Sequence, residues 1–196
     1  MKKCCAIFIS FLLSFIAYAE DDFDYLNDSP FPQVELVTNF GVIVVELDRP
    51  KAPLTVANFL NYVVTGQYDN TMFHRIIAGF VVQGGGMDVN FQERPIKGTI
   101  ANESGNGLSN KAYTIAMARD NDPHSATRQF YFNVADNQGL DPSPKRWGYA
   151  VFGEVVEGQE VLLKMSQVAT GIDSRTKWDD VPMQPVTLIK ATLLKI

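Results

Sequence analysis

Short apolar and β-branched runs, each bounded by glycine, proline, asparagine or aspartate, fill most of the chain beyond residue 33. Val34, Leu36 and the run 42–47 flank Asn39-Phe40-Gly41, the pattern of a β-hairpin. Runs of the same kind at 72–77, 80–83, 113–118, 129–134, 149–156 and 186–196 predict further strands. Two segments have a different period. After Pro50 and Pro53, residues Val56, Phe59, Leu60 and Val63 repeat at i, i+3, i+4 and i+7, which predicts a helix with one buried face, and Gly66 suits the position just past its end. Residues 159–167 carry a shorter stripe, Val161, Leu162 and Met165, ahead of Gly171. Many short strands with two helices predict a mainly β fold: a closed or nearly closed antiparallel barrel whose open ends the helices cover.

The N-terminus breaks this pattern. Lys2 and Lys3 precede an apolar run at 4–16, and Ala17-Tyr18-Ala19 before Glu20 has the A-x-A form of a cleavage site, so residues 1–19 are expected to be a removable export signal. The run is shorter than the ~20 residues a membrane-spanning helix needs. Cys4 and Cys5 are the only cysteines and precede the apolar core, whereas a lipoprotein cysteine follows it. No membrane anchor is therefore expected after cleavage, and the mature chain would carry neither a disulfide nor a thiolate. Residues 20–32, acidic and interrupted by Pro30 and Pro32, read as a flexible leader, and 33–196 as one domain. Loss of two lysines from 17 basic residues against 22 acidic ones leaves 15 minus 22, a net charge of −7. That balance argues against nucleic acid or an anionic membrane as partner. A monomer is expected.

The densest chemistry lies at 73–86, Phe-His-Arg-Ile-Ile-Ala-Gly-Phe-Val-Val-Gln-Gly-Gly-Gly. Arg75 and Gln83 are eight positions apart, with Gly79 between them breaking the run into two strands joined by a turn at Ala78-Gly79. Arginine, phenylalanine and glutamine on neighbouring strands can converge on one surface, supplying a fixed donor, an apolar floor and a bifunctional amide. Such a set suits a peptide better than a phosphate. Gln83-Gly84-Gly85-Gly86 lacks the lysine and the Ser/Thr of a P-loop. His74 and His124 are the only histidines and no H-E-x-x-H motif exists, which argues against zinc. Ser125 follows His124 without a Gly-x-Ser-x-Gly elbow, so a hydrolase is not indicated.

Phe73-His74-Arg75, Gly79-Phe80 and Gln83-Gly84-Gly85 resemble the signature of the cyclophilin-type peptidyl-prolyl cis/trans isomerases, and the resemblance spans 33–196. It implies an eight-stranded antiparallel barrel capped by two helices and catalysed rotation about X-Pro bonds. It also implies partners among the proline-containing segments of unfolded or flexible proteins, and no metal, nucleotide or redox cofactor. With the export signal, the expected address is the bacterial periplasm, secretion being the alternative. Arg75 is expected to be catalytic, because a guanidinium can donate to the nitrogen of a twisted amide. By resemblance, Phe80, Tyr131 and Leu140 wall the proline pocket, Gln83 and Gln129 hold the peptide, and Ala118 and Arg119 form a rim whose backbone pairs with substrate. Phe130 and Tyr149 join the binding set, and His74 stands behind the arginine.

The chain also departs from the pattern. Gly139 stands where many eukaryotic members have tryptophan, which argues against tight cyclosporin binding, and Tyr149 stands where many have histidine. Tyr131 replaces a common phenylalanine, Arg128 replaces a small polar residue, and an insertion at 142–146 precedes Trp147. The rival expectation is a cyclophilin-like module that holds proline segments without turning them over.

Overall fold

The computed structural model describes residues 28–195. The expected export signal and most of the expected leader lie outside the described residues. In chain order the elements are β1 (Gln33–Thr38), β2 (Gly41–Leu47), α1 (Pro53–Val64), β3 (Thr71–Met72), β4 (Arg75–Ile77), β5 (Val81–Gly84), β6 (Thr114–Met117) and β7 (Phe130–Asn133). A 3-10 turn (Gln138–Leu140) follows, then β8 (Val151–Glu157), α2 (Gln159–Ser166), β9 (Thr170–Gly171), β10 (Val181–Pro182) and β11 (Thr187–Leu193).

The expected first hairpin is present. Val34, Leu36 and Thr38 of β1 alternate inward, and the Thr38 hydroxyl ties the turn by donating to the Gly41 carbonyl (2.7 Å) and accepting from the Phe40 N–H (3.1 Å). From this hairpin the sheet extends both ways in the order β3-β11-β1-β2-β8-β6-β7-β5-β4, every described pairing being antiparallel. The curled sheet thus has nine strands and ends on β3 and β4, where an eight-stranded closed barrel was expected.

The extra strand arises where the expected run 72–77 breaks in two. Phe73 turns into the core, 1% exposed, and its N–H donates to the Val186 carbonyl (2.8 Å). Only Phe73 and His74 separate the two edge strands, so the sheet edges meet through the chain itself. The Gly85 N–H spans the junction to the Met72 carbonyl (3.3 Å). This approach requires glycine at the neighbouring position, because a Cβ on Gly84 would lie 2.7 Å from the Phe73 ring and 2.8 Å from the Met72 carbonyl oxygen. A small β9–β10 ladder stands apart from the sheet and was not anticipated.

The main core lies inside the curl and under the helices. From α1, Phe59 packs with ring centroids 5.1–5.4 Å from Tyr68, Phe130 and Phe152. The expected α1 stripe is buried in full, with Val56, Phe59, Leu60 and Val63 all inward. Ala52 offers no side-chain cap; instead the Glu103 carboxylate accepts from the N–H groups of Leu54 (3.1 Å) and Thr55 (2.8 Å). A carboxylate there also complements the positive end of the helix dipole. α2 buries Val161, Leu162 and Met165, as its stripe predicted.

Arg128 is the largest fully buried side chain. It donates to the carbonyls of Gly85 (2.8 Å), Pro95 (3.0 Å) and Gln67, and its guanidinium lies 4.9 Å and 5.5 Å from the ring centres of Tyr62 and Tyr68. Burial lowers its pKa, while the two tyrosines oppose that shift. Three loops are thereby tied to the strand that follows.

Replacing Gly158 by alanine is expected to cost about 2–4 kcal/mol in urea unfolding. The residue has φ +82°, and an added Cβ would meet the Val42 carbonyl oxygen at 2.2 Å.

His74 supplies a pH signature. Burial, with the neighbouring Arg75 charge second, lowers its pKa from 6.5 to about 4. The unfolded chain therefore takes up a proton near pH 6.5 that the folded protein refuses until about pH 4. Stability is complete above the unfolded value and falls as pH drops through this window, by roughly 2 kcal/mol between pH 7 and pH 5. Urea melts at the two pH values check this, and His74→Phe should flatten the difference.

Candidate active site

β4 and β5 form a tight hairpin. Gly79, at φ +69°, makes the turn, and the Phe80 N–H closes it onto the Ile77 carbonyl (3.0 Å). The register sets Arg75 opposite Gln83, on two strands joined by a turn at Gly79 as expected. Across the sheet the pairing continues from Gln83 to Tyr131 on β7, from Tyr131 to Ala116 on β6, and from Ala116 to Val151 on β8. Arg75, Gln83, Tyr131, Ala116 and Val151 thus form one row across five strands, and paired residues share a face.

On that face Ala116, Tyr131 and Val151 join Val81 in a second apolar cluster, separate from the main core. Phe80, Leu108, Ala118, Leu140 and Tyr149, all partly buried, pack around it. Five of the expected site residues, Phe80, Ala118, Tyr131, Leu140 and Tyr149, therefore come together. The polar ones adjoin them: Arg75 Nη1 donates to Gln83 Oε1 (3.4 Å) and Gln83 Nε2 to Gln129 Oε1 (3.1 Å). The Gln129 side chain lies over Gly86, where a Cβ would come within 2.6 Å of it. The arrangement is an apolar hollow edged by a cation and two linked amides.

Arg119 reaches the rim differently from its expected role. Its guanidinium sits 4.6 Å over the Tyr149 ring and donates to the carbonyls of Gly148 (3.2 Å), Trp147 (2.9 Å) and Asp120 (2.8 Å), clamping two loops together. The Ala118 N–H is spent on the Gln129 carbonyl (2.9 Å), so it is not free to pair with a ligand. Phe130 requires a correction. It faces away from the hollow, fully buried among Phe59, Tyr68, Phe73 and Phe132, because strand alternation sends it inward while Tyr131 points out. His74 is buried behind Arg75, its ring 6.2 Å from that of Trp178. Gly139 is exposed, with open space around the position a side chain would take.

Two residues that sequence reasoning missed support the hollow. Asp180 Oδ2 lies 3.7 Å from Arg75 Nε, both side chains being half-exposed. Asn110, 1% exposed, accepts from the Tyr131 hydroxyl (2.7 Å) and Asn133 Nδ2 (3.2 Å), and donates through Nδ2 to Asp141 (2.9 Å). Asn137 completes the network by donating to the Phe80 carbonyl (2.9 Å) and to Asn133 (2.7 Å). Tyr131, Phe80 and the turn bearing Leu140 are thus held by one set of amides, Asn110 and Asn133 buried and Asn137 partly so. Burial raises the Tyr131 pKa, so its hydroxyl remains a donor. Neither Asn110 nor Asp180 belongs to an apolar period, and only the tyrosine at 131, a polar atom on a pocket wall, signalled that a buried partner was needed.

Comparison with known proteins agrees with this geometry. The family model for cyclophilin type peptidyl-prolyl cis-trans isomerase/CLD matches residues 33–193. A peptidyl-prolyl cis-trans isomerase of Streptomyces antibioticus is 51% identical over 164 residues, covering 82% of this chain and 98% of its own. Peptidyl-prolyl cis-trans isomerase B of Escherichia coli strain K12 is 46% identical over 159 residues, 80% of this chain and 96% of that one. Among solved structures, a cyclophilin of Hirschia baltica superposes with a TM-score of 0.67 at 23% identity, covering 84% of this chain and 74% of that chain. A cyclophilin type isomerase of Cryptosporidium parvum gives 0.65 at 23% identity, covering 85% of this chain and 99% of that chain. At that identity the two structures speak for the fold alone. With its signature stretch folded into one hairpin at the edge of an apolar hollow, and with relatives this similar over most of its length, the chain belongs to the cyclophilin-type peptidyl-prolyl cis-trans isomerases.

Proposed function

We propose that the row led by Arg75 is the catalytic face, and that it accelerates rotation about X-Pro bonds in unfolded or flexible exported proteins by stabilising the twisted amide without a covalent intermediate. The observation that carries this reading is the half-exposed guanidinium beside the apolar hollow of Phe80, Tyr131 and Leu140.

Twisting the amide abolishes its resonance, which sets a barrier of ~18–20 kcal/mol. An acceleration of roughly 10⁴ to 10⁶ requires the barrier to fall by ~5.5–8 kcal/mol. When the bond twists, the proline nitrogen becomes pyramidal and regains a basic lone pair. Asp180 beside Nε and Gln83 on Nη1 orient the Arg75 guanidinium and leave its other N–H groups available to that lone pair. A planar ground-state amide nitrogen offers nothing comparable, so the hydrogen bond strengthens only towards the transition state and raises the rate instead of merely tightening binding. The hollow holds the proline ring, the two glutamines orient the flanking backbone, and Arg119 and Tyr149 shape the rim.

Export by the N-terminal signal, with residues 33–196 folding as one monomeric domain, would bring this activity to proteins that fold in the periplasm. The mechanism needs neither nucleotide nor metal.

Arg75→Ala is expected to slow catalysed cis/trans exchange of a short Ala-Pro peptide about 10²–10³-fold, read by NMR exchange spectroscopy, the loss typical of removing one transition-state donor. Peptide affinity should change by less than about threefold. Equal losses in rate and affinity would refute the transition-state role, and saturable binding without accelerated exchange in the parent protein would make the domain a binder of proline segments.

A further inference from the structure

We propose that the groove beside Arg75, between the loop around Phe91 and the strap that links β9 to β10, is a second docking site for the client chain, taking an extended apolar segment that flanks the proline. The proposal rests on the isomerase reading of the neighbouring hollow.

The groove has a volume of about 450 Å³ and a mixed lining, in which Met72, Val89, Phe91, Ile172 and Met183 supply apolar surface and Asp173, Ser174 and Arg175 polar surface. Its surface is unusual for a face that no other described segment covers. Ile172 and Met183 are each 71% exposed, and Trp178 beside them is 43% exposed. Single exposed apolar residues are ordinary; several around one concavity mark a surface that binds.

The strap bearing Ile172 and Trp178 is firmly built. Asp173 Oδ1 accepts from the N–H groups of Arg175 (2.9 Å) and Thr176 (3.0 Å), and the Asp173 N–H donates back to the Trp178 carbonyl (3.0 Å). Arg175 stacks 4.5 Å over the Phe91 ring, and Phe91 meets Trp178 edge-on at 6.0 Å, so strap and loop are locked together. A groove with fixed walls needs little reordering when a ligand enters.

Continuity with the catalytic face identifies the occupant. β9 and β10 pair Gly171 with Val181, and the groove-lining Val181 directly follows Asp180, the residue beside Arg75. The Ile76 N–H donates to the Asp180 carbonyl (2.9 Å), and Trp178 packs on His74, so the groove begins where the catalytic row ends. Arg75 and Tyr131 are two strand spacings apart, ~10 Å. At ~3.3 Å per residue, a chain with its proline against Tyr131 reaches the groove roughly four to eight residues away. The exposed Ile172 and Met183 side chains in this lining favour aliphatic or aromatic partners, which unfolded proteins expose and folded ones bury. Two linked contacts on one chain raise its affinity through effective concentration, while a short proline peptide reaches only the first.

The test uses the full chain and three probes: a short Ala-Pro peptide, a longer peptide with a Leu-Phe-Val cluster six residues from its proline, and the same peptide with serines in place of the cluster. Wild-type protein should bind the apolar-flanked peptide about tenfold more tightly than the serine version. The apolar-flanked peptide alone should shift the indole signal of Trp178, one of only two tryptophans in the chain. Ile172→Asp with Met183→Asp, both on exposed positions, should abolish that gain and leave catalysed exchange of the short peptide unchanged. Equal affinities for the two long peptides would overturn the proposal. So would a gain that survives the double substitution, or a Trp178 signal that responds to protein concentration instead of peptide, which would mark the groove as a contact between copies of this chain. Failure to isomerise the short peptide would overturn the isomerase reading, and the affinity comparison decides the groove independently.

Discussion

One strand has to serve two surfaces, and most of the molecule follows from that constraint. On β7, Phe130 and Phe132 enter the main core while Tyr131 between them joins the apolar cluster on the outer face. A β-strand can do this only because successive side chains point to opposite faces. Phe130 is gripped edge-on by Phe59, Tyr68, Phe73 and Phe132, at centroid distances of 5.3–6.0 Å. The backbone that carries Tyr131 is therefore positioned by close-packed aromatics, and the hollow inherits the precision of the core. Neighbouring β5 repeats the division, with Val82 in the core and Val81 in the outer cluster.

The same alternation explains what the sequence revealed and what it concealed. The α1 stripe, the first hairpin and the split at Gly79 were legible because each rests on a local period or on one residue's backbone freedom. The signature around Arg75 led to one face of the sheet, since register places Gln83 and Tyr131 beside it. Phe130 was misplaced because its neighbours in the chain lie in the site, and chain proximity is a poor guide to facing in a strand. The break at Phe73-His74 was invisible because the run 72–77 has uninterrupted strand character. Only the close approach of Gly84 to the Met72 carbonyl, a long-range contact, makes the chain turn there. Asn110 and Asp180 were missed for a related reason: each acts through a partner that folding alone brings near, 21 residues away in one case.

Buried polar groups do the connecting work that apolar packing cannot specify. Arg128 ties the Gly85, Pro95 and Gln67 carbonyls to the start of β7, and the Asn110 network ties Tyr131 to the segment that carries Leu140. Their geometry is demanding, since each donor left unsatisfied in such an environment costs ~1–3 kcal/mol. That demand gives the pocket walls a single arrangement, whereas a purely apolar contact would tolerate several.

Electrostatics around Arg75 complete the picture. Under the proposed mechanism the Arg75 guanidinium donates to a weakly basic nitrogen, a task best served with no second cation directly beside it and some donors unspent. Asp180 and Gln83 flank its Nε and Nη1. His74 precedes Arg75 in the chain, and a histidine of ordinary pKa would carry partial charge there near neutrality. Burial against Trp178, reinforced by the arginine itself, holds it neutral down to about pH 4. A second positive charge beside Arg75 would raise the cost of the first and draw Asp180 away from it. Keeping His74 neutral thus leaves Arg75 without a second positive charge directly beside it in the chain, and the break between β3 and β4 is where this histidine is buried.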